Sequence, residues 1–507
     1  MPVLSKFETF LYFAIWITGV VLSLYNLHLY GRVFNHNVLD NYQHEDFTKG
    51  WKILGERFQD QADYEWNSWT QLIIKLLPFL FCNLVVAELL RRWKKMNLLP
   101  LWYIIVSLVF VIYNFNFTIC IWFILLAVIY YALVFFNNLL VLWVVTGFIL
   151  HFFKPDIWFA LDEDDQYLVM ISSSWMILRC ISFCVDKSNE LSKSKLSFTH
   201  HIAEFSTLLG YSLYLPTMFL GPFIMFSNFY KGINLEFENW TLKRILKNVV
   251  RFSRCWFWFL FTEFSLHFVY VNAILLRPHL VQHLFEWELA GLGIAMGHFF
   301  HLKYIVFYGL PCAWAAAERF ETPEVPCCVS RVHLYSHMWR RFDHGLYQFL
   351  VRYIYIPVTT FLKGSSLFRK TPASIACFAF VFAWHGGEMH VFYWVLFNFI
   401  AVTIEALGKQ LFHLPIVRRF CERRISDCNI LRLQCLLVAP LHYFSMVSNF
   451  FFIGNGMNIG LVYLNKFFNG SFKSNLIILF FLYGAGQSAS AVQAWEEKNR
   501  RKQKSND

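Results

Sequence analysis

Long apolar runs separated by short polar or basic breaks make up most of the chain. The runs at 7–30, 70–90, 167–185, 255–276, 288–316, 391–411, 431–453 and 474–495 each come close to the roughly 20 residues that a hydrocarbon core about 30 Å thick demands of a spanning helix. Residues 98–153 are almost continuously apolar, long enough for about two or three more. The piece at 371–384 is shorter. This pattern predicts an all-α, polytopic integral membrane protein with about 10–12 transmembrane or re-entrant helices.

Two stretches depart from simple spans. Residues 201–229 carry Pro216 and the pair Gly221-Pro222, which predicts a broken or re-entrant helix. Such backbone survives at membrane depth only where protein or a watery cavity covers it. Residues 331–354 read as one amphipathic helix: Arg341, His344, Gln348 and Arg352 form its polar face, and Asp343 projects with Trp339, Leu346, Leu350 and Ile354 on the apolar side. A carboxylate there is either salt-bridged for structure or held for function. No internal repeat or soluble domain interrupts the pattern. Residues 1–507 read as one unit, with N-terminal spans in 7–185, a core in about 201–453 and a last span at 474–495.

Composition strengthens the membrane reading. Apolar residues are 57% of the chain and charged ones only 15%, too little charge to cover a water-soluble domain of this size. The net charge of +11 does not mark a nucleic-acid binder, because the basic residues sit in short clusters beside apolar runs. Arg91–Lys95, Arg418–Arg424 and Lys498–Lys504 have the placement of cytoplasmic loops. Both termini then lie in the cytosol, and the loops 31–68 and 455–473 face the lumen, the second carrying the sequon Asn469-Gly-Ser471. The first run reads as a retained span, being too long for a typical leader. Twelve scattered cysteines without a Cys-x-x-Cys pair argue against a disulfide framework or zinc site. Lys243, Arg244, Lys247, Arg251 and Arg254 share one helical arc. That arc is either an interfacial snorkelling face or a cationic wall for acidic phospholipid or coenzyme A phosphates.

The chemistry concentrates near Trp384-His385-Gly386-Gly387, set between Phe378–Ala383 and Val391–Phe397. An ionisable ring in such surroundings is costly and needs a reason. The two glycines allow close backbone approach and an exposed ring, and histidine is suited to general-base work near neutral pH. Lys363, Arg369 and Lys370 place the start of that helix in the cytosol. Fourteen residues rise about 21 Å, which puts His385 inside the bilayer toward the lumen. Asp343 is then expected nearer the cytosol, the two marking opposite mouths of one passage. His298 and His301, three residues apart, lack convincing partner ligands and read as structural. There is no Gly-x-Ser-x-Gly elbow, P-loop or His-Glu-x-x-His helix.

Three segments together carry a resemblance: Met338-Trp-Arg-Arg-Phe-Asp343-His-Gly-Leu346, Tyr353-Ile-Tyr-Ile-Pro357 and Trp384-His385-Gly-Gly387. The pattern resembles the membrane-bound O-acyltransferase superfamily, and within it the Hedgehog acyltransferase branch. It is strongest from about Pro326 to Glu405 and looser at Gly221-Pro222 and Ser448–Gly454. The resemblance implies a multi-pass enzyme of the endoplasmic reticulum or Golgi membrane. It implies transfer of palmitate from palmitoyl-CoA to the N-terminal cysteine amine of a secreted Hedgehog-type precursor, or of another secreted ligand beginning with cysteine. It places His385 at the catalytic histidine position and Asp343 at the paired aspartate position. Trp339 and the adjoining Arg340 fall on the acyl-CoA path, and Asn449 matches a pocket asparagine. It also implies haem b on a thiolate, with Cys328 at that position and Cys327 beside it as a rival ligand. The imidazole would equally serve transfer to a serine hydroxyl or a lysophospholipid. Outside enzymology, a non-catalytic membrane regulator or a transporter shares the span count.

Overall fold

A computed structural model describes residues 4–37, 46–55, 57–153, 158–159, 161–191, 197–364, 366–454 and 456–504. The chain opens with α1 (Lys6–Asn37), a short antiparallel hairpin of β1 (Phe47–Lys49) and β2 (Phe58–Asp60), and α2 (Tyr64–Arg92). The continuous apolar run that follows divides into α3 (Leu99–Asn114), α4 (Phe117–Phe136) and α5 (Leu139–Phe152). Its few asparagines make the divisions. Asn116 and Asn138 cap the starts of α4 and α5, accepting from the amides of Ile119 and Leu140, and Asn137 takes the left-handed conformation that ends α4.

Next come α6 (Glu163–Leu191), α7 (Phe198–Ser212), α8 (Phe226–Ile233), α9 (Leu242–Ser265) and α10 (Glu286–Ala317). The basic arc and the first part of the apolar run expected over 255–276 form the single helix α9, which ends at Ser265. Then follow α11 (Tyr335–Arg341), α12 (His344–Leu350), a π turn at Val351–Tyr355, α13 (Ile356–Phe361) and α14 (Ser366–Trp384). The chain closes with α15 (Met389–Phe412), α16 (Pro415–Arg424), α17 (Asp427–Ile453), α18 (Met457–Asn469) and α19 (Phe472–Lys504). Among the described residues, nine helices are long and apolar enough to cross a membrane.

Polar contacts between helix ends establish two faces. Arg91 near the end of α2 pairs with Glu318 just after α10, and Arg244 near the start of α9 pairs with Glu88. Arg432 near the start of α17 pairs with Glu8 of α1. These ends share one side, here called the basic face. At the opposite end Ser68 of α2 donates to Asp164 of α6. The apolar window of α6 is 78% buried against 17% for α1, so α6 is the central post and α1 is peripheral.

Two excursions enter from the basic face and return to it. The first is α7–α8, as Pro216 and Pro222 foretold. Its bend would leave carbonyls unpaired inside the bundle, and Arg179 of α6 meets them, donating from Nη1 to the Ser212 carbonyl at 2.8 Å and from Nη2 to the Thr217 hydroxyl at 2.9 Å. The second excursion runs from α11 to α13. The single amphipathic helix expected over 331–354 is broken at Asp343, which serves as the N-cap of α12 by accepting from the Leu346 amide at 2.8 Å. Asp343 therefore sits at the tip of a bend and not along a helix face. Gly345 lets that bend close on the first excursion, because a Cβ there would lie 2.5 Å from the Phe223 carbonyl oxygen.

Candidate active site

His385 ends α14. Its amide donates to the Val381 carbonyl at 3.0 Å, and Gly386 and Gly387 then turn the chain with φ of +93° and +72°. Side chains with a Cβ rarely adopt that conformation. Two such glycines in a row release the ring from the helix and start α15 three residues later. Rings hold the imidazole on three sides: Trp384 at 4.8 Å, Phe452 at 4.9 Å and Trp394 at 5.4 Å between centroids. Among the described residues no side chain hydrogen-bonds it, so its nitrogens remain for a substrate.

The ring opens into a cavity of about 1530 Å³. Its wall takes Ser330 and His333 from the loop on the basic face, and Phe152, Trp158 and Glu388 from the other end. His385, Asp343, Trp339 and Asn449 all line it. Trp339 donates from Nε1 to Asn398 at 3.1 Å, and Trp394 donates to Asn449 at 2.9 Å. These bonds occupy the indole N–H groups that an apolar wall would leave unpaired, and the two indoles stack at 5.7 Å.

Asp343 accepts a second bond, from the Tyr308 hydroxyl at 2.9 Å. Tyr308 lies 5.1 Å from Tyr304, whose hydroxyl donates to Glu65, the second residue of α2 at the end away from the basic face. Asp343 and His385 thus line one and the same cavity. The bend carries Asp343 inward until it faces the same chamber as His385, with Tyr308, Trp175 and Trp384 as a bridge of touching rings between them.

The other expected residues scatter more. Arg340 is exposed and absent from the cavity wall. Cys328 is half-buried, carries a free thiol and stands immediately before Val329 and Ser330, which do line the cavity. Cys327 is equally half-buried and free. On that side the buried Nδ1 atoms of His333, His337 and His442 have no hydrogen-bond partner. His298 lines the wall and meets the Ser330 hydroxyl at 2.8 Å.

Sequence reasoning missed Glu65 and its partners. Lys303 of α10 lies 2.5 Å from Glu65 and 3.1 Å from Asp63, and Tyr167 donates to Glu65 at 2.6 Å. Lys303 is a charge inside an otherwise apolar run, which is a signal in itself. Its partners are more than 230 residues away, and no local pattern names them.

A sequence profile of the membrane-bound O-acyltransferase family matches residues 123–447. The chain is 29% identical over 469 residues to the protein-cysteine N-palmitoyltransferase Rasp of Drosophila melanogaster, covering 90% of this chain and 89% of that protein. It is 27% identical over 454 residues to the mouse protein-cysteine N-palmitoyltransferase HHAT, covering 85% and 88%. A mouse HHAT-like protein is 24% identical over 466 residues, covering 87% and 86%.

Proposed function

The chain belongs to the membrane-bound O-acyltransferase family, and from that premise we propose that it is a protein-cysteine N-palmitoyltransferase. The observation that carries this reading is the single cavity whose wall holds His385, Asp343, Trp339 and Asn449 and which reaches from the loop on the basic face to the opposite end. Palmitoyl-CoA is the donor and enters from the basic, cytosolic face. No lysine or arginine lines the cavity among the described residues, so the acyl chain occupies it while the nucleotide phosphates stay at the basic surface. The acceptor enters from the other side, in the lumen of the endoplasmic reticulum or Golgi. It is the N-terminal cysteine of a Hedgehog-type secreted precursor, or of another secreted ligand with that terminus. The names of two relatives alike over most of their length support the activity.

A thioester is already activated, so the site must supply a neutral amine, alignment and exclusion of water. An α-amino group with a pKa near about 8 is partly protonated at neutral pH. His385 takes the proton as the amine nitrogen attacks the thioester carbonyl carbon. The C–N bond forms, the C–S bond breaks, and coenzyme A leaves with the electron pair. The aromatic collar fixes the imidazole, and alignment of the two substrates contributes the larger share of the rate. Asp343 positions the reacting groups from the facing wall. Acylation of the cysteine sulfur followed by S-to-N transfer leads to the same amide.

Purified protein with palmitoyl-CoA and a cysteine-initiated peptide yields a hydroxylamine-resistant palmitoyl adduct on the N-terminal nitrogen, read by tandem mass spectrometry. Acetylating that nitrogen abolishes the product. A resistant adduct on the blocked peptide overturns the assignment in favour of a hydroxyl or another acceptor.

The same loop on the basic face suits haem b. What supports it is a free, half-buried thiol at Cys328, immediately before the cavity-lining Val329 and Ser330 and followed in the chain by His333 and His337, whose Nδ1 atoms lack partners. A thiolate is a sound haem ligand. Cys328 would hold the iron, and the group would supply an iron–thiolate tie for the loop. Cys328→Ala is expected to lose the Soret band of the purified protein while Cys327→Ala keeps it; the reverse pattern makes Cys327 the ligand.

A further inference from the structure

Three buried polar atoms on the cavity wall have no hydrogen-bond partner among the described residues: Trp69 Nε1, His333 Nδ1 and His442 Nδ1. A buried polar atom left so costs free energy unless a bound group answers it. Trp69 lies beside Tyr167 and Tyr304, the two tyrosines that donate to Glu65, at the end away from the basic face. The two histidines stand toward the basic face. His333 comes from the loop before α11, and His442 from the cavity side of α17. Another histidine of the wall, His298, shows the contrast. Its Nδ1 meets the Ile294 carbonyl and its Nε2 the Ser330 hydroxyl, both at 2.8 Å.

His442 shares with Ser445 and Asn449 the stripe of α17 that lines the cavity. It stands about two turns, or about 11 Å, from Asn449 toward the basic face. Asn449 accepts from Trp394, whose indole touches the His385 ring, so it marks the level of the reacting centre. The arm that joins the thioester sulfur of the donor to its nucleotide is pantetheine. That arm is peptide-like, and its two amides fall within about 10 Å of the sulfur when extended. Inside the cavity each amide needs a partner. His333 lies outside the spanning helices, and burial, followed by the nearby His442 and His337, pushes its imidazole down to about 3. The ring is therefore neutral at physiological pH. A neutral imidazole has one donor and one acceptor nitrogen, and an amide can answer either. We propose that His442 and His333 are donor-specificity residues, binding respectively the inner and the outer amide of the pantetheine arm. This rests on the N-acyl transfer reading above and deepens it: the donor is recognised by its arm as well as by its acyl chain.

The test uses the purified full-length protein, a saturating cysteine-initiated peptide and three palmitoyl thioesters. One is that of pantetheine, one that of N-acetylcysteamine, which keeps only the inner amide, and one that of ethanethiol, which has none. Donor KM is expected to rise about fivefold as each amide is removed, as for the loss of one ordinary hydrogen bond. His333→Phe raises KM about fivefold for the pantetheine thioester alone. His442→Phe raises it for the pantetheine and N-acetylcysteamine thioesters, with kcat held. Neither moves KM for the ethanethiol thioester, and His442→Gln, which keeps a hydrogen-bonding group, restores most of the loss. Equal KM values for the three donors with the wild-type protein overturn the inference alone. So does an equal rise for the ethanethiol thioester in the variants, which would reduce both histidines to packing. No acylation of the peptide by the wild-type protein from any donor overturns the N-acyl transfer reading and this inference with it.

Discussion

Replacing His385 with glutamine lowers the rate of amide formation by about a hundredfold to ten-thousandfold, the range that removal of a general base commonly costs. Glutamine is the informative choice because it is close to histidine in size and remains polar. The collar of Trp384, Trp394 and Phe452 therefore keeps its packing, and thermal unfolding of the detergent-solubilised variant stays near that of the wild type. Alanine removes the ring altogether and leaves a void among three aromatics, so its loss mixes packing with chemistry. The measurement is initial-rate transfer of labelled palmitate to a cysteine-initiated peptide at saturating donor. A glutamine variant with near wild-type turnover would falsify the general-base role, and the cavity would then act by alignment alone.

His385 was legible in the sequence because its polarity conflicts with everything around it and because paired glycines after it have few other uses. The re-entrant α7–α8 was legible for a similar reason: proline removes backbone donors, and a chain that tolerates this at depth must be covered. What supplies the cover was not legible, since Arg179 reaches Ser212 and Thr217 from a different helix. Periodicity misled at 331–354, where apolar spacing continues straight through Asp343. An aspartate followed two residues later by glycine suits a cap and a close turn as well as a helix face, and only the contact of Gly345 with Phe223 decides between them. That choice puts Asp343 at the tip of a bend that lines the same cavity as His385. The helix α18 and the hairpin of β1 and β2 lay in segments read as plain loops. Each is short and gains its stability from the helices it packs against.

Asp343→Asn is expected to lower amide formation about a hundredfold while leaving thermal stability close to that of the wild type. Asparagine caps a helix as well as aspartate does, so its Oδ1 can keep the Leu346 amide. The Tyr308 hydroxyl can turn to accept from the new amide in place of donating. The bend between α11 and α12 thus survives. What disappears is the charge and its spare acceptor sites. A carboxylate offers about four, and Asp343 spends two on Leu346 and Tyr308, leaving the rest for an amine in the chamber. An amide nitrogen there repels that amine's protons, and the misplacement of a reacting group by about 1 Å costs roughly a hundredfold. Asp343→Ala serves as the contrast: it loses the same activity and also the cap, about 1 kcal/mol of stability. Tyr308→Phe frees one oxygen without touching the charge, and its activity should fall between those of the wild type and Asp343→Asn. The three variants separate two roles that coincide in one side chain. If Asp343→Asn transfers palmitate at the wild-type rate, Asp343 is a cap and nothing more, and the alignment of the acceptor amine must come from His385 and the aromatic collar.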